Sequence, residues 1–167
     1  MSDAGKWSVP YVPKNPEILK AIARVTLRHN QLDEMLVYTI KSVANVTIEQ
    51  AFGATLYQGS KTLRERVNKL ARQRLGEGPA LIKVQDLMER CALATLKRNE
   101  LVHNVWSKDA AGGKPRVLHA AERRFKKPPT AKVLNELADE LLKLVAELNH
   151  ERLHGWLDEA LKKKNSI

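Results

Sequence analysis

Apolar residues that recur every three or four positions are the feature of this sequence that most limits its fold. The longest such stripe follows Asn15-Pro16-Glu17, and its members are Ile22, Val25, Leu32, Leu36, Ile40 and Val43. Asparagine is a favoured helix cap, and a proline at the first helical position loses no hydrogen bond. The pattern therefore predicts a long amphipathic helix from residue 16 to about residue 45. His29 lies on or beside this stripe, so we interpret it as a core or interface histidine.

Three further helices are predicted after the first, each with its own start or stop signal. Thr47-Ile48-Glu49-Gln50 has the form of a capping box and opens a short helix that ends near Gly59. Ser60 begins the next helix, in which apolar residues face inward and cations face outward. Gly76-Glu77-Gly78-Pro79 is a clear break. The helix that follows has a buried apolar stripe and extends to Arg98.

The remaining part of the sequence predicts a hairpin and a closing helix. Short apolar segments at Val105-Trp106 and Arg116-Val117-Leu118 flank Gly112-Gly113, which permits a tight turn. Thr130 caps a last helix, whose leucine stripe continues through Leu157. The predicted fold class is all-α, a bundle of four to five helices with a small β-hairpin insertion. We expect residues 1–15 to form an extended arm and residues 16–164 to form a single domain.

Composition narrows the class of protein further. The 167 residues are 43% hydrophobic and 5% aromatic, which suits a core of aliphatic side chains. The net charge of +10 favours an anionic partner, nucleic acid before a membrane surface. The lone cysteine, Cys91, excludes an internal disulfide, fits a reducing compartment and lies in an apolar stripe, so we expect it to be buried. No apolar segment reaches membrane-spanning length, which leads us to expect a cytoplasmic protein.

The segment Lys97–Trp106 brings an arginine, an amide and a histidine together at the end of the fourth helix. Arginine offers a planar fork of donors that fits phosphate, and histidine can move protons near neutral pH. Arg98 and His103 therefore suggest phosphodiester chemistry on a basic protein. The alternative is that both cations only stabilise a helix end, where they favour the negative pole of the helix dipole.

Arg98, Asn99 and His103, with four residues between the arginine and the histidine, resemble the signature of the HEPN superfamily (higher eukaryotes and prokaryotes nucleotide-binding domain). The order of elements over roughly positions 16 to 160 is also similar, including an acidic residue, Asp33, on the first helix. The resemblance implies a metal-independent RNA endonuclease without a cofactor. Arg98 would contact the scissile phosphate, His103 would act as general acid or base, and Asn99 would orient the pair.

The resemblance also implies partners and leaves alternatives open. The substrate would be RNA, and HEPN-like proteins often act in toxin–antitoxin systems or phage defence, which makes an antitoxin protein a candidate partner. Several HEPN-like domains bind nucleic acid, nucleotide or protein without cutting anything, so a non-catalytic binding module is the alternative function. No membrane partner is expected.

A geometric problem favours a homodimer. On a continuous α-helix of about 100° per residue, five steps set Arg98 and His103 roughly 140° apart. One helix therefore cannot easily direct both side chains at one phosphate. The difficulty is smaller if the helix ends near His103, or if two copies of the motif face each other across a two-fold axis. HEPN-like proteins use the second arrangement, and a two-fold pair is also the commonest oligomer.

Two groups of cations are candidates for binding the nucleic-acid backbone. The third helix carries Arg64, Lys69 and Arg72 on its predicted outer face, where cations greatly outnumber acids. Before the last helix, a predicted loop contains Arg123, Arg124, Lys126 and Lys127 around one aromatic residue. Either group can instead be an ordinary solvated surface. Trp106 could stack on a base, but a tryptophan beside a hairpin more often packs against a neighbouring helix.

A metal motif competes with the nuclease interpretation. His150-Glu151-Arg152-Leu153-His154 spells the zinc-peptidase pattern, in which two imidazoles one turn apart bind zinc and the glutamate activates water. A third ligand is needed, for which Asp158 or Glu159 would have to serve. No strand precedes this helix to bind a peptide substrate, and Gly155 weakens the helix directly after His154. We therefore predict no metal site here.

Overall fold

The computed structural model describes residues 8–109, 112–119 and 124–165. The α-helices are α1 (Pro16–Ala44), α2 (Ile48–Thr55), α3 (Ser60–Leu75), α4 (Pro79–Arg98), α5 (Ala131–Leu153) and α6 (Trp156–Asn165). A π-helical turn, Asn99–His103, follows α4. The strands are β1 (Ser8–Pro10), β2 (Val105–Asp109), β3 (Arg116–His119) and β4 (Arg124–Lys126). The protein is thus mostly helical with a small antiparallel sheet, which confirms the predicted class in this coarse form.

At α1 and α2 the predicted helix starts are confirmed by capping hydrogen bonds. The Asn15 side chain accepts from the backbone N–H of Glu17 at the beginning of α1, over 2.9 Å. At α2, Thr47 and Gln50 form the reciprocal bonds of a capping box. The α1 helix ends where Asn45 adopts a left-handed conformation with φ 55°, a common helix stop for asparagine.

The core lies where α1, α3, α4 and α5 pack together, and α1 makes its most extensive contacts with α5. The predicted apolar stripes face this core. Its largest fully buried side chains are Leu32, Leu36, Ile40, Leu81, Leu134, Leu141, Leu148 and Leu157. Burying such side chains stabilises the fold by about 1.5–3 kcal/mol each. The core therefore fixes the position of α4, whose C-terminal end carries the candidate motif.

The sheet is larger than the predicted hairpin. The strands β2 and β3 pair as expected, with Trp106 opposite Val117. On one side β1 pairs with β2, so part of the predicted arm belongs to the sheet. On the other side β4 pairs with β3, where a loop was predicted. Trp7 of the arm lies outside the described residues, as does Arg123.

The predicted closing helix is two helices, so the expectation of one continuous element was wrong. The α5 helix ends at Leu153, and His154 leaves the helical conformation with φ −144°. The Glu151 carboxylate then accepts a hydrogen bond from the backbone N–H of Trp156, over 3.0 Å. That bond satisfies an N–H that the first turn of α6 leaves without an intrahelical partner. Within the described residues, no helix combines the length and the apolar character needed to cross a membrane.

Candidate functional site

The backbone between Arg98 and His103 departs from the regular α-helix that the sequence predicted. Residues Asn99–His103 form a π-helical turn, and Asn104 then becomes extended with ψ 150°. In a π-helix, residues five positions apart lie one turn apart on the same side, because the hydrogen bonds run from i to i+5. The wide turn thus reduces the angular separation calculated for a continuous α-helix. The structure describes the backbone of His103 and not its side chain.

Arg98 and Asn99 are brought together at the end of α4. The Nη1 of Arg98 donates to Oδ1 of Asn99 over 3.0 Å. Arg98 is partly buried, and this burial lowers the pKa of its guanidinium below the ordinary value, while the negative charge of Asp33 opposes the shift. Arginine stays protonated in proteins despite such shifts. The site therefore contains a fixed positive charge that is less hydrated than a surface arginine.

Arg98 and Asn99 line a cleft of about 520 Å³ between α1, α3 and α4. The other residues around it are His29, Gly59, Ser60, Lys61, Thr62, Arg64, Ala92, Thr95 and Leu96. Three of these lining residues, Lys61, Arg64 and Arg98, are cationic side chains that remain charged at neutral pH. The cleft therefore favours an anionic ligand.

A chain of polar contacts crosses the floor of this cleft. His29 is 3% exposed, which confirms that it belongs to the interior. Its Nδ1 lies 3.6 Å from Oδ2 of Asp33, and its Nε2 lies 3.3 Å from Oγ1 of Thr95. The Nη1 of Arg64 donates to the same Thr95 oxygen over 3.2 Å. Side chains of α1, α3 and α4 are thereby joined through one hydroxyl group.

The predicted cations of α3 do not share one surface. Arg64 is half-buried and lines the cleft beside Arg98, rather than facing outward. Lys69 is exposed and lines a different groove, together with Arg66. Arg72 pairs with Glu77 over 3.2 Å. Only Arg64 among these candidates is therefore near the motif.

The second group of candidate cations lies on and after β4. Arg124 and Lys127 are exposed and Lys126 is half-buried. Between them, Phe125 is 43% exposed, and the Arg116 guanidinium of β3 lies 4.5 Å from the centre of its ring. This strand can present charge and one aromatic face to a ligand. None of its residues lines the cleft that contains Arg98 and Asn99.

Cys91 and the histidine pair of α5 take no part in this cleft. Burial raises the pKa of the Cys91 thiol to about 12, so it is not a nucleophile at neutral pH. His150 and His154 have ring centres 6.3 Å apart, but Glu151 between them caps α6. Among the described residues there is no group of three His, Cys, Asp or Glu side chains able to hold a metal ion.

No protein-family model, curated protein or solved structure matches the chain. Sequence reasoning missed Thr95 as a site residue because it lies in an apolar stripe of α4. The one-turn spacing of His29 and Asp33 on α1 was a visible signal of a polar pair, but it did not indicate which helix they would face.

Proposed function

We propose that the protein is a metal-independent RNA endonuclease of HEPN type that acts as a homodimer. The observation that supports this most is the π-helical turn between Arg98 and His103 beside a basic cleft. Such turns inside α-helices are rare and occur frequently at functional sites. A role in a toxin–antitoxin system or in phage defence, with an antitoxin protein as partner, is part of the same proposal and follows from the resemblance of the motif.

In the proposed reaction, the RNA 2′-hydroxyl attacks the adjacent phosphorus and the bond to the 5′-oxygen breaks. His103 either takes the proton from the 2′-hydroxyl or gives one to the departing 5′-oxygen, and water makes the other proton transfer. Arg98 stabilises the charge that develops on the phosphate oxygens, and Asn99 holds Arg98 in place. The products are a 2′,3′-cyclic phosphate and a 5′-hydroxyl. No metal ion or other cofactor takes part.

The surface of α4 supports the homodimer. Ile82, Leu93 and Leu96 are 64%, 52% and 56% exposed. Their separations of eleven and three positions correspond to about three turns and about one turn, so they share one face of the helix. Leu96 also lines the cleft. A two-fold contact through this face would bring the motifs of two copies near each other.

The proposal is tested by cleavage of an end-labelled structured RNA in EDTA. We expect wild type to cut and to leave cyclic phosphate ends, and His103→Ala and Arg98→Ala to be inactive. His150→Ala is the matched control, because this exposed histidine lies outside the cleft. It should cut like wild type. All variants are compared for helicity and for mass in solution.

Three results would contradict the proposal of a metal-independent nuclease. If His103→Ala cuts as fast as wild type, the activity belongs to another site or to a contaminant. If no variant cuts any RNA while all of them bind it equally, the non-catalytic binding module becomes the better interpretation. Activity that is lost in EDTA and in His150→Ala would favour the zinc motif instead.

A further inference from the structure

The hydroxyl of Thr95 has a defined role in the polar network of the cleft. A hydroxyl can donate one hydrogen bond and accept two. Thr95 donates to the backbone carbonyl of Cys91 over 2.8 Å. The same oxygen accepts the bond from Arg64, and Nε2 of His29 lies within hydrogen-bond distance of it, at 3.3 Å. Thr95 is thus an acceptor fixed on one side by the α4 backbone and on the other by a buried histidine.

This arrangement holds Arg64 in one orientation and leaves most of its donors for a ligand. A guanidinium has five N–H donors, and one of them is used by Thr95. Within the described residues, Arg64 makes no other hydrogen bond or ion pair. The remaining edge of the planar group lines the same cleft as Arg98, which belongs to the neighbouring helix α4. The cleft therefore has two arginines on two walls.

We propose that Arg64 forms a second phosphate subsite, which binds a backbone phosphate next to the one that Arg98 contacts. Arginine suits this role because its fork binds phosphate oxygens in pairs. Thr95 and His29 are positioning residues, because they hold the guanidinium and need not touch the ligand. The inference rests on the proposed function in one respect, that the ligand is a single-stranded RNA backbone.

The subsite is tested by binding rather than by cutting. A labelled oligouridylate is titrated in EDTA against His103→Ala protein, so that cleavage does not interfere. We expect Arg64→Gln to weaken binding about tenfold, as for loss of a charge-assisted bond. It should also reduce the slope of log affinity against log salt by about 0.7, the value for one contact with a single strand. Lys69→Gln is the matched control, because Lys69 is an exposed cation of α3 that lies outside the cleft. This substitution should weaken binding less than Arg64→Gln does.

The positioning role is tested with a pair of substitutions at Thr95. Thr95→Val keeps the shape but removes the hydroxyl, and we expect binding to weaken about threefold, as for a neutral hydrogen bond. Thr95→Ser keeps the hydroxyl and should bind like the parent protein. If Thr95→Val does not fold, Arg64→Lys takes its place, because lysine keeps the charge without the fork and should bind more weakly than arginine.

The outcomes separate this inference from the nuclease proposal. A protein that binds oligouridylate in the expected order but cuts nothing keeps the subsite and loses the catalytic role. The subsite is overturned if Arg64→Gln binds no more weakly than Lys69→Gln, or if the parent His103→Ala protein does not bind oligouridylate. Equal affinities of Thr95→Val and Thr95→Ser would overturn the positioning role. Any of these results leaves the cleavage test with Arg98 and His103 to be judged separately.

Discussion

At the scale of single residues, the buried thiol of Cys91 makes the folded state less stable as the pH becomes alkaline. Burial raises the pKa of its thiol from an ordinary 9.0 to about 12. Between these values the unfolded chain loses the thiol proton and the folded chain keeps it, so rising pH favours unfolding. The contribution of the buried thiol is fully present below pH 9 and is lost as the pH rises toward the folded pKa.

We expect this loss to be measurable by comparing wild type with Cys91→Ala. One pH unit above the ordinary pKa, the thiol lowers the free energy of unfolding by about 1.4 kcal/mol. Alanine cannot ionise, so the stability difference between the two proteins should shrink by that amount between pH 8 and pH 10. Urea unfolding at both pH values measures it. A difference that stays constant would contradict the burial of the thiol.

Individual residues of the site were only partly predictable from the sequence. Arg98 and Asn99 were predicted together because they are adjacent in the chain, and they are found together. Arg64 was predicted from the sequence as a backbone-binding cation on an outer face, whereas in the structure it is half-buried and lines the cleft. Its inward orientation depends on Thr95, a residue 31 positions away on another helix. Spacing within one helix carries no information about such a contact.

At the scale of elements, the turn between α5 and α6 leaves no room for a side chain at Gly155. A Cβ atom at Gly155 would lie 2.9 Å from the backbone Cα of Glu151 and would also meet the carboxylate that caps α6. The backbone contact cannot be relieved by rotating a side chain. The glycine is therefore required by close approach rather than by an unusual backbone angle.

We expect Gly155→Ala to lower the free energy of unfolding by about 1–2 kcal/mol, as for overpacking at a tight site. The matched control is Gly53→Ala within α2, where an added Cβ meets nothing within 4 Å. That change should stabilise the protein slightly, because alanine is the better helix former. Thermal unfolding of both variants measures the difference. Equal effects of the two substitutions would mean that the turn adapts freely.

Elements with a strong periodic pattern and a capping signal were predicted well. The first four helices begin close to where Asn15, Thr47, Ser60 and Pro79 indicated. The π-helical turn, the short strand β4 and the break after α5 were not predicted. Strand β4 depends on its pairing with β3, and the break after α5 is accompanied by the bond from Trp156 to Glu151, neither of which the periodic pattern indicates.

At the scale of the whole molecule, the proposed homodimer can be tested at the exposed apolar side chains of α4, Ile82, Leu93 and Leu96. We expect Leu93→Asp to convert a dimer into a monomer of 18.8 kDa, because a charge cannot be buried in a contact without a partner. Leu93 does not line the cleft, so its substitution leaves the site residues in place. Sedimentation velocity measures the mass, and cleavage should decline together with the dimer.

The control for this prediction is Leu19→Asp. Leu19 lies at the beginning of α1, and 42% of the residue is accessible to solvent. This substitution should leave the mass unchanged. A wild-type protein that sediments as a monomer at all concentrations would contradict the proposed assembly. A Leu93→Asp protein that remains dimeric would place the contact on another face of the molecule.

More of the general architecture than of the candidate site could be predicted from the sequence. Composition and periodicity indicated a helical protein with an aliphatic core and a hairpin after α4, and these features are present. How α1, α3 and α4 arrange the cleft was not predictable, because His29, Arg64 and Thr95 meet only once the helices have packed. The roles of Arg98 and His103 remain predictions from the motif.

The packing of α1 against α5 has a consequence for the way the chain is made. The first helix finds its main partner only after more than a hundred further residues have been synthesised. At ordinary translation rates this takes on the order of ten seconds. During that interval the part of the apolar face of α1 that packs against α5 remains uncovered. A newly made copy therefore completes its hydrophobic core only after α5 has emerged.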